Sequence, residues 1–367
     1  MKIMVNYPNK KHEVAGDIET AFIEEFAGVC ERDGVECRLV GKDMRDYVPG
    51  WTFKEYHRNY FRNELDWMLG YYHLFPDWLT RPPLKARPAG FTGKIAEWGY
   101  DIHVEPEGLV AEANANIDLW LMRSTEAPSI LFPTRAQWFD CKGDTPDEWV
   151  ANGCAIRAEP DHLKKRITTN YMLFPISLNP EFFHPIAEKD HDIAMVGIMT
   201  PYYPLRRAIF SEIKKFATDH KLRLLLHPSP PNECTANIEL VLQNPALRRQ
   251  YSVGRDYAER IAKSKMFVFC SGFMHGPLGK YFEGMMAGTA VVADTPVNAS
   301  ELHFEPDRNF ININMSNWKE KILYYLDDNQ AREEIAQRGR ETAVKYHTNE
   351  VRAKELLSRM KALGTGQ

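Results

Sequence analysis

One stretch constrains this chain more than any other: Gly279-Lys280-Tyr281-Phe282-Glu283-Gly284-Met285-Met286-Ala287-Gly288-Thr289-Ala290-Val291-Val292-Ala293-Asp294. It predicts a loop ending at Gly279, a short helix over Lys280–Ala287, a stop at Gly288 and a strand over Thr289–Ala293. Glycine just past a helix can take the left-handed conformation that reverses the chain. Ala-Val-Val-Ala has the unbroken apolar, β-branched character of a parallel strand covered on both faces. So short a helix is not stable alone in water, so Phe282, Met285 and Met286 must pack it down. Glu283 is the exception, a carboxylate in an apolar turn. At a helix start, backbone N–H groups and Lys280 are expected to face an anion, and Glu283 to face hydroxyl groups beside it. A nucleoside diphosphate with its ribose presents both. A purely structural strand–helix–strand unit with a solvated glutamate would have the same pattern.

At 367 residues the chain is longer than a typical single domain, so two domains are the default. A net charge of -4 makes no electrostatic case for nucleic acid as the main partner. Cys30, Cys37, Cys141, Cys154, Cys234 and Cys270 form no C-x-x-C pair. Their spacing suggests neither a zinc site nor a disulfide framework, and reads as reduced thiols in a cytoplasmic protein. The opening Met-Lys-Ile-Met-Val-Asn-Tyr-Pro reads as a first strand and lacks the apolar core of a signal peptide. No apolar run reaches the roughly 20 residues of a membrane span.

Taken in order, Lys2–Tyr7 reads as a strand, Asp17–Asp33 as a helix stopped by Gly34, and Glu36–Val40 as a second strand. This β–α–β opening begins a doubly wound sheet. The loop Pro8–Gly16, with Lys10, Lys11 and His12, follows the first strand, where such folds bind ligands. Residues 51–100 have poor periodicity and place no elements. Seven of the eight tryptophans precede residue 150. Aromatic faces in a cleft stack on flat or sugar-like acceptors, though core packing is expected for most of these. Asp118–Met122, Ser129–Phe132 and Cys154–Arg157 read as short strands and Asp161–Ile167 as a helix, closing a first domain over 1–175. Prolines 175, 180 and 185 place an interdomain linker at 176–191. A second α/β unit spans 192–345, with strands at Asp192–Gly197, Leu222–Leu226 and Met266–Cys270. Its helices are Pro204–His220, Asp256–Lys263, Asn317–Leu326 and Gln330–Tyr346. A final helix, Thr348–Leu363 within 346–367, is placed to pack back toward the first domain.

Four features together resemble the nucleotide-binding half of GT-B glycosyltransferases. The closest likeness is to the CgeB-like group, and more broadly to the glycosyltransferase family 4-like proteins with an E-A-M-A-x-G signature. Asp192-Ile193-Ala194-Met195-Val196-Gly197, followed by Tyr203-Pro204-Leu205-Arg206-Arg207, resembles the opening strand and arginine-bearing helix. Phe282-Glu283-Gly284-Met285-Met286-Ala287-Gly288-Thr289-Ala290-Val291-Val292 is similar to F-E-A-M-A-x-G-x-P-V-V. Asn179-Pro180-Glu181-Phe182-Phe183-His184-Pro185 resembles the interdomain link. Arg332, Arg338-Gly339-Arg340 and Tyr346-His347-Thr348 resemble the closing helices. The likeness covers about residues 175–363; the first half shares only the β–α–β opening. It departs from the pattern at His275, eight positions before Glu283, where the broader family has a second glutamate. Gly284 and Ala290 stand where alanine and proline are commoner, differences expected to matter little.

The resemblance implies an α/β GT-B fold, two Rossmann-like doubly wound domains facing across a cleft, and a glycosyltransferase of the hexosyl-transfer class. The donor would be a nucleotide-diphosphate sugar, a UDP-sugar first and a GDP-sugar second, with no metal or other cofactor. The first domain would take the acceptor: small molecule, glycan, protein or modified nucleic acid. The resemblance also implies that Glu283 binds the ribose and that the loop carrying His275 holds the donor sugar. His275 would then hold the sugar or its phosphate, with Gly276, Gly279 and Tyr281 around it. Charge building on the leaving phosphate calls for fixed cations, and Lys280, Arg206 and Arg207 are the candidates, with one of the two arginines expected to reach it. His227, Pro228 and Ser229, at the end of a strand, are placed to contact the base. An inverting reaction would need a base from the first domain, with His103, Asp161 or His162 available. The family leans toward retention, which needs none. A GT-B epimerase and a non-catalytic sugar-nucleotide sensor are the alternatives. An NAD-linked dehydrogenase is disfavoured because no G-x-G-x-x-G follows the first strand. A P-loop NTPase is disfavoured because Tyr281 stands where Ser or Thr is needed.

Overall fold

A computed structural model describes residues 1–6, 18–41, 44–70, 87–88, 90–99, 104, 106–125, 130–134, 136–137, 141–143, 145–159, 162, 164–197, 202–228, 244–250 and 254–364. In chain order the elements are β1 (Lys2–Val5), α1 (Ile18–Arg32), β2 (Glu36–Leu39), α2 (Phe53–Phe61), β3 (Trp67–Leu69), β4 (Lys94–Gly99), α3 (Pro106–Asn116), β5 (Leu119–Met122), β6 (Ile130–Leu131), α4 (Pro146–Ala151), β7 (Ile156–Arg157) and β8 (Asn170–Leu173). The second half adds β9 (His191–Gly197), α5 (Pro204–Asp219), β10 (Leu224–Pro228), α6 (Pro245–Gln250), α7 (Gly254–Ala262), β11 (Ser264–Val268), α8 (Gly279–Met286), β12 (Ala290–Ala293), β13 (Ile311–Asn312), α9 (Trp318–Asp327), α10 (Asn329–Tyr346) and α11 (Asn349–Gly364).

Two all-parallel sheets result, and β6 and β7, read from the sequence as strands of the first domain, form a separate two-stranded antiparallel ribbon. The first runs β2-β1-β3-β4-β5-β8 and the second β10-β9-β11-β12-β13. Side-chain alternation along the strands explains the unbroken apolar runs. In the second sheet Met266, Val268, Ala290 and Val292 enter one layer, with Ile209, Ile213 and Trp318 of α5 and α9. Phe267, Val291 and Ala293 enter the opposite layer, with Phe282, Met285 and Met286 of α8. Helices therefore cover both faces, as a parallel sheet requires. The first sheet does the same. Ile3, Val5 and Leu119 meet α1 and α11, Met4, Met68 and Ile95 meet α2, and Trp120 and Met122 meet α3.

The chain passes between the sheets at two places that hold each other. Leu178 N–H donates to His347 O at 3.0 Å, Asn349 N–H to Leu178 O at 3.0 Å, and Ser177 Oγ to Asn349 Oδ1 at 2.8 Å. Beyond this double crossing α11 lies on α1, with Ala353, Leu356, Leu357 and Met360 in the core of the first sheet. No helix among the described residues is long and apolar enough to cross a membrane.

Several sequence expectations shift. β10 pairs Leu224–Pro228 with Ile193–Gly197, two residues later than read, because the Leu222 N–H instead closes α5 on Ala217 O. β11 ends at Val268, with Phe269 N–H still donating to Val292 O at 3.1 Å and Cys270 O turned to an arginine of α5. His191, read as linker, opens β9. The helix expected over Asp161–Ile167 is a single 3-10 turn at Lys164–Arg166. Three successive exposed cations offer no apolar stripe there. Gly284 matters more than expected: a Cβ on it would lie 2.6 Å from Val291 Cγ2 and 3.0 Å from Phe267 Cδ1, so at the present spacing of α8 on the sheet a side chain there would force its neighbours to shift.

Candidate functional site

In both sheets the order of the strands reverses direction at one place, leaving a crevice at their carboxyl ends where helices depart to opposite sides. In the second sheet this switch point lies between β9 and β11. Gly197 closes β9 with φ +135. A Cβ there would meet Lys280 Cε at 3.0 Å and Arg206 Nη1 at 3.2 Å. The two cations, from helices 74 positions apart in the chain, thus converge on one glycine at the switch point.

Arg206 is buried, 2% exposed. Its guanidinium donates to Cys270 O at 3.0 Å and lies 4.0 Å from the Tyr203 ring centroid, so it is held in place. Arg207, the next residue on α5, is half-buried. Lys280 Nζ donates to the Tyr257 hydroxyl at 3.1 Å, which in turn donates to Glu283 Oε2. Glu283 is buried at 5% exposure, with Oε1 turned back against Gly279 at the start of its own helix. Burial drives the chemistry of this group. It lowers the Lys280 pKa to about 8, opposed by Glu283 and assisted by Arg206. It raises the Glu283 carboxyl, opposed by Lys280 and by the Tyr257 bond. It pushes the Tyr257 hydroxyl well above its usual range. The result is a closely spaced set of two cations and one carboxylate in a largely desolvated crevice, where electrostatic contacts count for more than in water.

The loop after β11 forms the rim. His275 has φ 52 and a side chain 58% exposed. Its Nδ1 lies 3.1 Å from Asp294 Oδ2, just past β12. Asp294 also accepts from Ser271 N–H at 2.7 Å and from Ser271 Oγ, while its backbone carbonyl accepts from Tyr281. Tyr281 is fully buried among Phe269, Phe304 and Phe310, so it shapes the core behind the site. Gly276 has open space around a notional Cβ, whereas Gly279 meets Glu283.

The first domain closes on this rim. Asn298, 2% exposed with φ 57, accepts from Ser124 Oγ at 2.9 Å and Thr125 N–H at 3.1 Å, both just beyond β5, and donates to Thr125 Oγ1 at 2.9 Å. Phe132 and Trp149 pack against Phe273 across the same boundary, Trp149 at 4.9 Å between ring centroids. Trp149, with Trp67 and Trp120, is a buried packing residue.

Lys280, Arg206 and Glu283 are thus brought together; His275 stands on the neighbouring loop. His103, Asp161 and Ser229, like Lys10, Lys11 and His12, lie outside the described residues. His227 and Pro228 end β10, with only their backbone described. His162 pairs with Glu107 at 3.1 Å. The sequence reading passed over Tyr257, Asp294, Asn298 and the role of Gly197. Asp294 carried a signal: an acid directly after a buried parallel strand sits where such sheets bind ligands.

Residues 248–358 match the family described as glycosyl transferase-like. No curated protein matches the chain by sequence. Among solved structures, sucrose-phosphate synthase from Thermosynechococcus elongatus is similar at TM-score 0.62 and 12% identity, covering 100% of this chain and 99% of that one. A glycosyltransferase from Rickettsia africae ESF-5 is similar at 0.59 and 11%, with the same coverage. HepE from Anabaena, solved with UDP-glucose, is similar at 0.54 and 11%, covering 99% of this chain and 100% of that one. The fold is GT-B. On the GT-B frame the family match takes in Tyr257, His275, Lys280, Glu283, Asp294 and Asn298, and leaves out Gly197, Arg206 and the whole first sheet.

Proposed function

We propose that the chain is a glycosyltransferase that moves a sugar from a nucleotide-diphosphate sugar, a UDP-sugar first, to an acceptor held by the first domain. The convergence of Arg206 and Lys280 on Gly197 carries this reading. The GT-B fold, the family match over residues 248–358 and the UDP-glucose bound by HepE support it. Arg206 and Lys280 hold the diphosphate, with the backbone of Gly197 approached closely because no side chain intervenes. Glu283 takes the ribose hydroxyls and His275 the donor sugar or its phosphate. As the bond from the anomeric carbon to the phosphate oxygen breaks, negative charge grows on the diphosphate, and two cations already in place lower the barrier without reorganising. The acceptor oxygen bonds to the same carbon, and in the retaining course we favour its proton passes to the departing phosphate, so no base from the first domain is needed. We place the donor half at 192–345, joined to the first domain, 1–175, by the linker 176–191.

The test is a thermal-shift panel of UDP, GDP, dTDP and CMP sugars, followed by nucleotide release with and without candidate acceptors. A ligand bound only by the native state raises Tm, by about 2.7 kcal/mol of stability at a hundredfold excess over Kd. The expected result is a shift with UDP-sugars and nucleoside diphosphate released only when acceptor is present. Donor converted without acceptor would point to an epimerase. No shift with any member would overturn the donor assignment.

A further inference from the structure

His275 and Asp294 form a unit whose purpose the donor reading leaves open. Asp294 is mostly buried, its side chain 14% exposed, and both of its oxygens are committed to one loop: Oδ1 to Ser271 N–H, Oδ2 to Ser271 Oγ and His275 Nδ1. The backbone of His275 is tied as well. Its N–H donates to Gly272 O at 3.1 Å and its carbonyl accepts from Val297 N–H at 2.7 Å. These ties hold a non-glycine residue at φ 52, a conformation that costs energy and persists only when its surroundings impose it. The imidazole is therefore fixed at the crevice rim, and the nitrogen bound to Asp294 decides what the other one can do.

We propose that Asp294 is a positioning residue for His275, holding Nδ1 as a donor to itself so that Nε2–H is offered as a charged donor to the diphosphate of the nucleotide. This rests on the donor-site reading above. Among the described residues, charged groups on elements packed around the loop include Asp294 beyond β12, Arg206 on α5, Lys280 on α8 and Glu301 beside Asn298. Of these Asp294 touches the imidazole, and its hydrogen bond raises the His275 pKa against the opposing effect of burial. The sign follows: the proton is held to higher pH than on an ordinary histidine and is lost as pH rises through the raised value, and with it goes a charge-assisted bond to phosphate.

The test compares wild type, Asp294→Asn and His275→Asn. Asparagine is chosen at position 275 because it tolerates the left-handed conformation. The first readout is the histidine NMR titration of the ligand-free protein, with His275→Asn identifying the resonance. The second is UDP and GDP affinity by calorimetry at pH 6 and pH 8. His275 is expected to titrate above an ordinary histidine in wild type and lower in Asp294→Asn. UDP binding in wild type is expected to weaken about tenfold more between the two pH values than in His275→Asn, the size of one charge-assisted hydrogen bond. Asp294→Asn should fall between them. Lys280 and the terminal phosphate of UDP titrate in the same range, so the difference between proteins is what counts. If the titration is unmoved in Asp294→Asn, or all three proteins show one pH dependence, the proposal falls and the nucleotide site stands. If wild type binds neither UDP nor GDP at either pH, the nucleotide reading falls and takes the proposal with it. Should Asp294→Asn fail to fold, the wild-type titration decides: a His275 that titrates at or below an ordinary histidine has no carboxylate holding its proton, and the proposal falls.

Discussion

Lys280→Ala is expected to lower kcat/KM for the donor by about 10²–10³-fold, with folding retained. That is the cost of removing one fixed partner for transition-state charge, about 2.7–4 kcal/mol. Stability should change little, because a lysine whose pKa burial has lowered to about 8 is held at a desolvation cost that alanine removes. The same value sets a pH dependence. Burial disfavours the charged form, so the proton is lost as pH rises through about 8 in the free enzyme. Wild-type kcat/KM should therefore bend downward above about pH 8, losing about tenfold per further unit, since that ratio reports the free enzyme. Steady-state kinetics from pH 6 to pH 9.5 checks both. Wild-type turnover in Lys280→Ala would remove this cation from the mechanism.

Glu283→Gln is expected to weaken nucleotide affinity by about tenfold to a hundredfold, the worth of hydrogen bonds to a charged acceptor, 1.5–3 kcal/mol. The amide keeps the volume of the carboxyl and an oxygen able to accept from Tyr257, so the melting temperature should hold. Calorimetric titration with UDP separates two roles. Unchanged affinity would mean that Glu283 serves only as the buried partner of Tyr257 and Lys280.

Most of the second sheet could be read from the sequence because β9, β10, β11 and β12 are largely apolar runs and α8 is followed by a glycine stop, while the two-residue β13 was not read. Val291-Val292 and Gly288 state their structure locally. The first sheet was legible only in part: β1, β2 and β5 lie where the sequence put them, while β3, β4 and β8 were not read. β3 is three residues, too short for any period, and its place depends on pairing with β1 and β4. β8 is half-exposed and edges the sheet by pairing with β5. The site divides in the same way. Lys280 and Glu283 were legible because a short helix start beside a buried strand limits what they can face. Tyr257 was not, because on α7 it stands among Ala258, Ile261 and Ala262 and reads as one more core aromatic. Its hydroxyl gains meaning only when α7 meets α8. Asn298 finds its partners 173 and 174 positions away, which no local pattern records.

The central claim is that a nucleoside diphosphate is gripped at the switch point of the second sheet. A crystal structure with UDP bound tests it directly. The diphosphate should lie beside Gly197 within about 3 Å of Arg206 or Lys280 nitrogens, with the ribose at Glu283. UDP seated against the first sheet, or with its phosphates turned away from both cations, would contradict the account.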